Sequence, residues 1–201
     1  MTKAILMSIN PQHALNILRG NKTYEVRKVV PKGFVGWVYM YVTKTYPALT
    51  KVFEVDMGTQ VKDGVFYTLQ TKSMIENGAY AFNPFHIING TIVARWWHDE
   101  YDTIINGGSR FYAKGKDEAY TNKIARTSCL TFNDLRDYSN GKDLYAWHIK
   151  NLEIFDKPME LGEFKTKDIS KYQDEDGNPA FDDYFELTKA PLSWQYVWVR
   201  E

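Results

Sequence analysis

Residues 6–28 read LMSINPQHALNILRGNKTYEVRK and contain the most informative succession of elements in the chain. The apolar start of this stretch favours a strand. Asn10 is a good helix N-cap, and Pro11 suits the first helical position because that position needs no N–H donor. Gly20 is typical of the residue that follows a helix. We therefore predict a strand that leads into a short helix over residues 11–19.

A polar motif, G-x-K-x-x-E-x-R, follows the helix and comprises Gly20, Lys22, Glu25 and Arg27. Alternating residues predict a strand over 23–28, which places Glu25 and Arg27 on one face, with Lys22 where helix gives way to strand. Such a cluster can hold a phosphate or an amide-bearing base, or move a proton if Lys22 is desolvated. The alternative is an exposed ion pair between Glu25 and Arg27, which contributes little.

The rest of the chain is rich in predicted strands. Runs of β-branched and aromatic residues predict strands at 36–43, 91–97, 194–199 and, as one long strand or a bent pair, 144–155. Thr131 starts a capping box and predicts a short helix. Residues 44–89 read as a loop-and-hairpin insertion, with a hairpin turn at Asp63-Gly64. The pattern predicts a single α+β, β-rich domain over 1–201, built as a small β-barrel or strongly curved sheet flanked by short helices.

Composition restricts the class of protein. The chain has 201 residues, of which 44% are hydrophobic and 25% charged, and this excludes a disordered or fibrous protein. No apolar run is long enough to span a membrane, and the first residues do not resemble a signal peptide, so we expect no membrane partner. The single cysteine, Cys129, cannot form an internal disulfide and favours a reducing, cytoplasmic location.

The net charge of zero conceals an uneven distribution. Residues 1–51 hold eight Lys or Arg and one acid, a balance of +7, whereas residues 52–201 hold 17 bases and 24 acids, a balance of −7. A polybasic binder is excluded by the net charge of the whole chain. A local positive face that attracts phosphate or another anion is still compatible with the sequence. The alternative is that these basic residues form an ordinary solvated face.

Neither a metal centre nor an obvious nucleophile emerges from the residue spacing. His98, Asp99 and Glu100 are consecutive, so on a strand they point to alternate faces and share an ion poorly. The acidic stretch at 174–178 lacks the spacing of an EF-hand loop. Cys129 has no histidine at a spacing that marks a catalytic thiol. We therefore expect no metal and no cofactor.

The order of these segments resembles the ASCH domains of the PUA-like superfamily, in their phage and bacterial form. The resemblance rests on Ser8-Ile9-Asn10-Pro11, on the G-x-K-x-x-E-x-R motif, and on segments 39–43, 89–94, 144–158 and 190–197. It implies a PUA-like β-barrel beside short helices, with a cleft where the motif residues meet. It also implies RNA binding or another role in RNA metabolism.

The favoured hypothesis under this resemblance is a module that binds RNA, single-stranded nucleic acid, or a nucleotide or nucleoside, through a basic cleft. Cationic side chains would contact phosphate, and aromatic side chains would stack on unpaired bases. The cationic candidates are Lys22, Arg27 and Lys28, and the aromatic candidates are Tyr41, Trp194 and Tyr196. These aromatic residues are equally compatible with packing in the core.

The alternative hypothesis is a hydrolase, either an amidohydrolase on a modified nucleoside or a nuclease on an RNA strand. Lys22 would be the electrophile or base, and Glu25 would carry the proton. Small ASCH members that resemble amidohydrolases have a threonine nucleophile three residues after the motif lysine. This chain has Glu25 there, and a carboxylate cannot replace the hydroxyl nucleophile. A third possibility is a surface that binds another protein, with 44–89 as its specific part.

Overall fold

The computed structural model describes residues 1–55, 61–78, 85–167 and 184–200. Within these ranges the helices are α1 (Pro11–Leu18), α2 (Lys72–Glu76), α3 (Glu118–Thr127) and α4 (Phe132–Ser139). The strands are β1 (Thr2–Ile9), β2 (Tyr24–Arg27), β3 (Gly36–Val42), β4 (Ala48–Val55), β5 (Val61–Gln70), β6 (Phe85–Ile87), β7 (Ile92–His98), β8 (Tyr101–Asn106), β9 (Phe111–Ala113), β10 (Leu144–His148), β11 (Lys150–Met159), β12 (Phe164–Thr166), β13 (Phe185–Glu186) and β14 (Trp194–Val199). None of the described helices is long and apolar enough to cross a membrane.

Strand pairing within the described ranges produces three sheets. The largest has seven strands in the order β11-β7-β3-β1-β14-β12-β13, and in it β1 and β3 run parallel. A four-stranded sheet has the order β2-β10-β8-β9, and a three-stranded sheet has the order β5-β4-β6. The predicted α+β, β-rich class is therefore confirmed. The predicted β-barrel is not confirmed, because none of the described strand pairs closes a sheet into a ring.

Helix α1 begins and ends close to the predicted residues. The Asn10 side chain accepts a hydrogen bond from the Gln12 backbone N–H, and Pro11 occupies the first turn. One face of the helix is buried, through Pro11, Ala14, Leu15, Ile17 and Leu18. Gly20 then adopts a φ of +74°, a left-handed conformation that favours glycine, and the chain turns back towards β2.

Two apolar clusters lie on opposite faces of the seven-stranded sheet, because side chains alternate along each strand. Along β1, Ile5 and Met7 belong to the cluster that includes α1, whereas Ala4 and Leu6 belong to the other. We call these two sides the α1 face and the opposite face. Trp147 of β10 belongs to the α1-face cluster, so this core also joins the four-stranded sheet to the seven-stranded one.

The segment 144–155 forms the bent pair rather than one long strand. Strand β10 pairs with β2 and β8, whereas β11 pairs with β7 in the other large sheet. Pro158 lies within β11, although proline lacks the N–H that strand pairing uses. This is physically reasonable because β11 is an edge strand, and one side of an edge strand needs no N–H donor.

The predicted hairpin turn at Asp63-Gly64 is wrong, because both residues lie within β5. Strand β5 does pair antiparallel with β4, but residues 56–60 between them lie outside the described ranges, as does the acidic stretch at 174–178. Strands β4, β5 and β6 form a sheet of their own. The interpretation of residues 44–89 as an insertion in a single domain stays a prediction.

The capping box predicted at Thr131 is present at the start of α4. Its Oγ1 accepts from the Asp134 backbone N–H at 3.1 Å, and Asp134 Oδ2 accepts from the Thr131 backbone N–H at 2.7 Å. We expect Thr131→Ala to lower the free energy of unfolding by about 1 kcal/mol, because a helix-terminal N–H loses its acceptor. Urea unfolding measures the change, and Thr131→Ser serves as the control because it keeps the hydroxyl. An alanine variant as stable as the serine variant would contradict this role.

Candidate functional site

The motif occupies the junction of α1, β2 and the C-terminal end of α3. The Lys22 backbone N–H donates to the Asn16 carbonyl at 3.0 Å, and the Thr23 backbone N–H donates to the Thr127 carbonyl at 2.8 Å. Strand β2 then pairs antiparallel with β10. These contacts hold the chain on both sides of Lys22, whose side chain is only 2% exposed.

Lys22, Glu25 and Arg27 form one cluster, in which Lys22 and Glu25 are buried and the Arg27 side chain is 13% exposed. Glu25 Oε2 lies 3.4 Å from Lys22 Nζ, and Glu25 Oε1 lies 2.9 Å from Arg27 Nε. Lys22 Nζ also donates to the Ser128 carbonyl at 2.5 Å. Glu25 itself is 5% exposed. The ion pair between Glu25 and Arg27 is thus buried and shared with Lys22, rather than lying on the surface.

The Glu25 carboxylate is outnumbered by the basic groups around it. Burial by itself would raise the pKa of the Glu25 carboxyl, but the charges of Arg27 and Lys22 outweigh it and lower this pKa below its ordinary value. Glu25 is therefore ionised at neutral pH. One carboxylate against two basic side chains leaves one positive charge in excess. Such a charge attracts an anion strongly where little water screens it.

The Arg27 guanidinium connects the cluster to the seven-stranded sheet. Its Nη2 donates to the Ser8 carbonyl at 2.7 Å, and its Nη1 donates to Ser193 Oγ at 3.4 Å. A guanidinium has five N–H donors, so these contacts and the Glu25 ion pair leave one N–H on each terminal nitrogen without a partner in the described part of the chain. Because Ser193 directly precedes Trp194, Arg27 lies at the start of β14.

His13 on α1 faces the same cluster, and the sequence analysis did not identify it. Its Nδ1 is buried with no hydrogen-bond partner among the described residues. Burial lowers the pKa of His13, and the nearby charge of Lys22 lowers it further, so the imidazole is uncharged at neutral pH. Helical spacing was the available signal, because His13 and Asn16 are one turn apart and the Asn16 carbonyl accepts from Lys22.

The remaining predicted residues lie at different places. Lys28 is exposed, with its Nζ 4.9 Å from the centre of the Tyr138 ring. Trp194 and Tyr196 are half-buried against the α1-face cluster, with ring centres 5.7 Å apart. Tyr41 is 5% exposed and packs in the cluster on the opposite face. The structure thus places Trp194 beside the motif and Tyr41 away from it.

The described polar contacts of the Lys22 and Glu25 side chains lie within the cluster itself, apart from the Ser128 carbonyl. No side-chain hydroxyl in the described ranges is hydrogen-bonded to either residue: Lys22 contacts Glu25 and the Ser128 carbonyl, and Glu25 also contacts Arg27. Nor does any group of three or more His, Cys, Asp or Glu side chains in those ranges have an arrangement that could hold a metal ion.

The chain is similar in fold to a solved structure, ASCH from Zymomonas mobilis. The match covers 98% of this chain and 88% of that one, with a TM-score of 0.50 and 14% sequence identity. The chain has an ASCH-type fold. Two mutant structures of ZmASCH from the same organism also match, each with a TM-score of 0.49. The match to one mutant covers 100% of this chain and 92% of that one, at 15% sequence identity. The match to the other mutant covers 98% of this chain and 89% of that one, at 14% sequence identity. No protein-family model matches the chain, and no curated protein is similar to it in sequence.

Proposed function

We propose that the protein binds single-stranded RNA, or another single-stranded nucleic acid, in a basic cleft around Lys22, Glu25 and Arg27. The observation that carries this proposal is the buried cluster with one positive charge in excess, in which Arg27 keeps N–H donors available. The ASCH-type fold supports it, since the resemblance of the sequence to ASCH domains implies RNA binding. The reducing, cytoplasmic location predicted from the single cysteine agrees with such a role.

Arg27 is the residue best placed to hold a phosphate. Its two N–H groups that have no partner among the described residues are on its two terminal nitrogens, and a guanidinium can contact two phosphate oxygens at once. Glu25 and the Ser8 carbonyl hold the guanidinium in position, so little side-chain freedom is lost on binding. Lys22 contributes charge from within the cluster, and the exposed Lys28 contributes a further phosphate contact at the rim.

Salt-dependent binding tests this proposal. We expect labelled single-stranded RNA to bind in fluorescence anisotropy, and its affinity to fall about tenfold between 50 and 200 mM salt, as two to three phosphate contacts on a single strand imply. Arg27→Gln should lower the affinity at 50 mM salt about tenfold and reduce the salt dependence, because a charge-assisted phosphate contact is lost.

The control is Arg95→Gln, because Arg95 contacts Tyr39 on the opposite face of the seven-stranded sheet. This variant should bind RNA as the natural protein does. Circular dichroism establishes that both variants are folded. Absence of binding to any single strand, or equal binding by Arg27→Gln and the natural protein, would refute the proposed cleft.

A further inference from the structure

Strand β14 carries a row of aromatic side chains that continues away from the cleft. Trp194, Tyr196 and Trp198 occupy alternate positions, so all three point to the same side of the sheet. Each is half-buried, which leaves part of each side chain accessible. At about 3.3 Å per residue the row is about 13 Å long. Trp198 was not among the residues that the sequence analysis selected.

Lysine side chains surround this row. Lys3 of β1 and Lys165 of β12 lie directly opposite Trp198 on its two neighbouring strands. Lys3 Nζ lies 3.9 Å from the centre of the Tyr196 ring, and Lys167 Nζ lies 5.7 Å from the centre of the Trp198 ring. Both ammonium groups lie over the rings, so they bring positive charge onto the aromatic row.

Only one of these three lysines forms an ion pair with a carboxylate in the described part of the chain. Glu186 pairs with Lys165, with 2.9 Å between the carboxylate oxygen and Nζ. Lys3 and Lys167 have no carboxylate partner among the described residues, and both are exposed. Two positive charges without a carboxylate partner in the described part of the chain therefore flank the aromatic row. We call the three aromatic residues together with Lys3 and Lys167 the β14 track.

The track begins at the proposed cleft. Arg27 Nη1 donates to Ser193 Oγ at 3.4 Å, and Ser193 directly precedes Trp194. The Ser193 carbonyl also accepts from the Ser8 backbone N–H at 2.9 Å, which fixes this end of β14 beside the end of β1. A chain bound at Arg27 could therefore continue along β14 without crossing another element of the sheet.

We propose that the β14 track binds the nucleotides that flank the one held in the cleft. Bases stack on Trp194, Tyr196 and Trp198, while Lys3 and Lys167 contact phosphates of the same strand. This pattern selects single-stranded over double-stranded nucleic acid, because the bases of a duplex are already stacked on one another. The inference rests on the proposed function, and it extends that site from one nucleotide to several.

A series of oligonucleotides of increasing length tests the track. We expect labelled oligouridylates of two, four and eight nucleotides to bind with increasing affinity in fluorescence anisotropy. Trp198→Ala should weaken binding of the longest strand about tenfold, the loss of one stacked base, and leave binding of the shortest strand unchanged. The matched control is Trp37→Ala, because Trp37 is a half-buried tryptophan packed on the opposite face.

A second variant tests the track independently of Trp198→Ala, in case the tryptophan variant does not fold. The double change Lys3→Gln/Lys167→Gln alters only exposed side chains and should reduce the salt slope for the longest strand by about 1.4, or about 0.7 per phosphate contact. Equal affinities for all lengths, or an unchanged salt slope in the double variant, would overturn the track and leave the cleft in place. If no oligonucleotide binds, both the cleft and the track fail.

Discussion

Glu25→Gln is expected to lower the free energy of unfolding by about 3–5 kcal/mol, because in the described structure it removes the only carboxylate that contacts both the buried Lys22 and the partly buried Arg27. Lys22 and Arg27 would then repel each other inside the protein, with little water to screen their charges. Glutamine keeps the shape of the side chain, so the loss reports the charge rather than a cavity. Equilibrium unfolding in urea, followed by tryptophan fluorescence, measures the change.

The matched control is Glu153→Gln. Glu153 Oε2 lies 2.7 Å from Arg95 Nε, a shorter distance than either ion pair of Glu25, but the Glu153 side chain is 47% exposed. An exposed ion pair contributes about 0–1 kcal/mol, so this variant should be nearly as stable as the natural protein. Equal losses in the two variants would show that burial of the motif cluster does not determine its contribution.

Acidification from pH 7 to pH 4 is expected to remove about 3 kcal/mol of stability through His98 alone. His98 is 1% exposed, its ring centre lies 4.6 Å from that of Trp147, and its Nδ1 has no hydrogen-bond partner among the described residues. Burial lowers the pKa of His98 from 6.5 to about 4. Between these values the unfolded chain binds a proton that the folded chain does not, so stability falls as the pH falls from 6.5 through 4.

The variant His98→Phe isolates this contribution, because it keeps an aromatic ring beside Trp147 and removes the titrating group. Urea unfolding at pH 7 and at pH 4 should show a smaller loss of stability in the variant, by about 3 kcal/mol. A His98→Phe protein with the same pH dependence as the natural protein would contradict the assignment.

Local signals account for the parts of the fold that could be predicted. Helix α1 and strand β2 lie within one residue of their predicted bounds, because a cap, a proline and a glycine act on their immediate neighbours. The same holds for β14 and for the box at Thr131. Strand β1 ends before the helix as predicted, but it begins at Thr2, four residues before the predicted start. The predicted hairpin turn at Asp63-Gly64 was wrong because strand β5, which pairs with β4, includes both residues despite the turn preference of Asp-Gly.

The sequence by itself also determined that the motif residues would lie together. Glu25 and Arg27 are two positions apart on one strand, and Lys22 precedes Glu25 by three residues, so their proximity needs no distant element. What the sequence left open was whether Glu25 and Arg27 would be exposed. The spacing of two residues between them is the same for a surface pair and for a buried cluster.

Only the tertiary structure decided the surroundings of the motif. Lys22 is buried beside Ser128, 106 residues away, and Arg27 contacts Ser193, 166 residues away. The tertiary structure also places Tyr41 and Trp194 on opposite faces of the seven-stranded sheet. The physical reason is that alternation along a strand specifies two faces, but the pairing order of distant strands decides which face meets the motif.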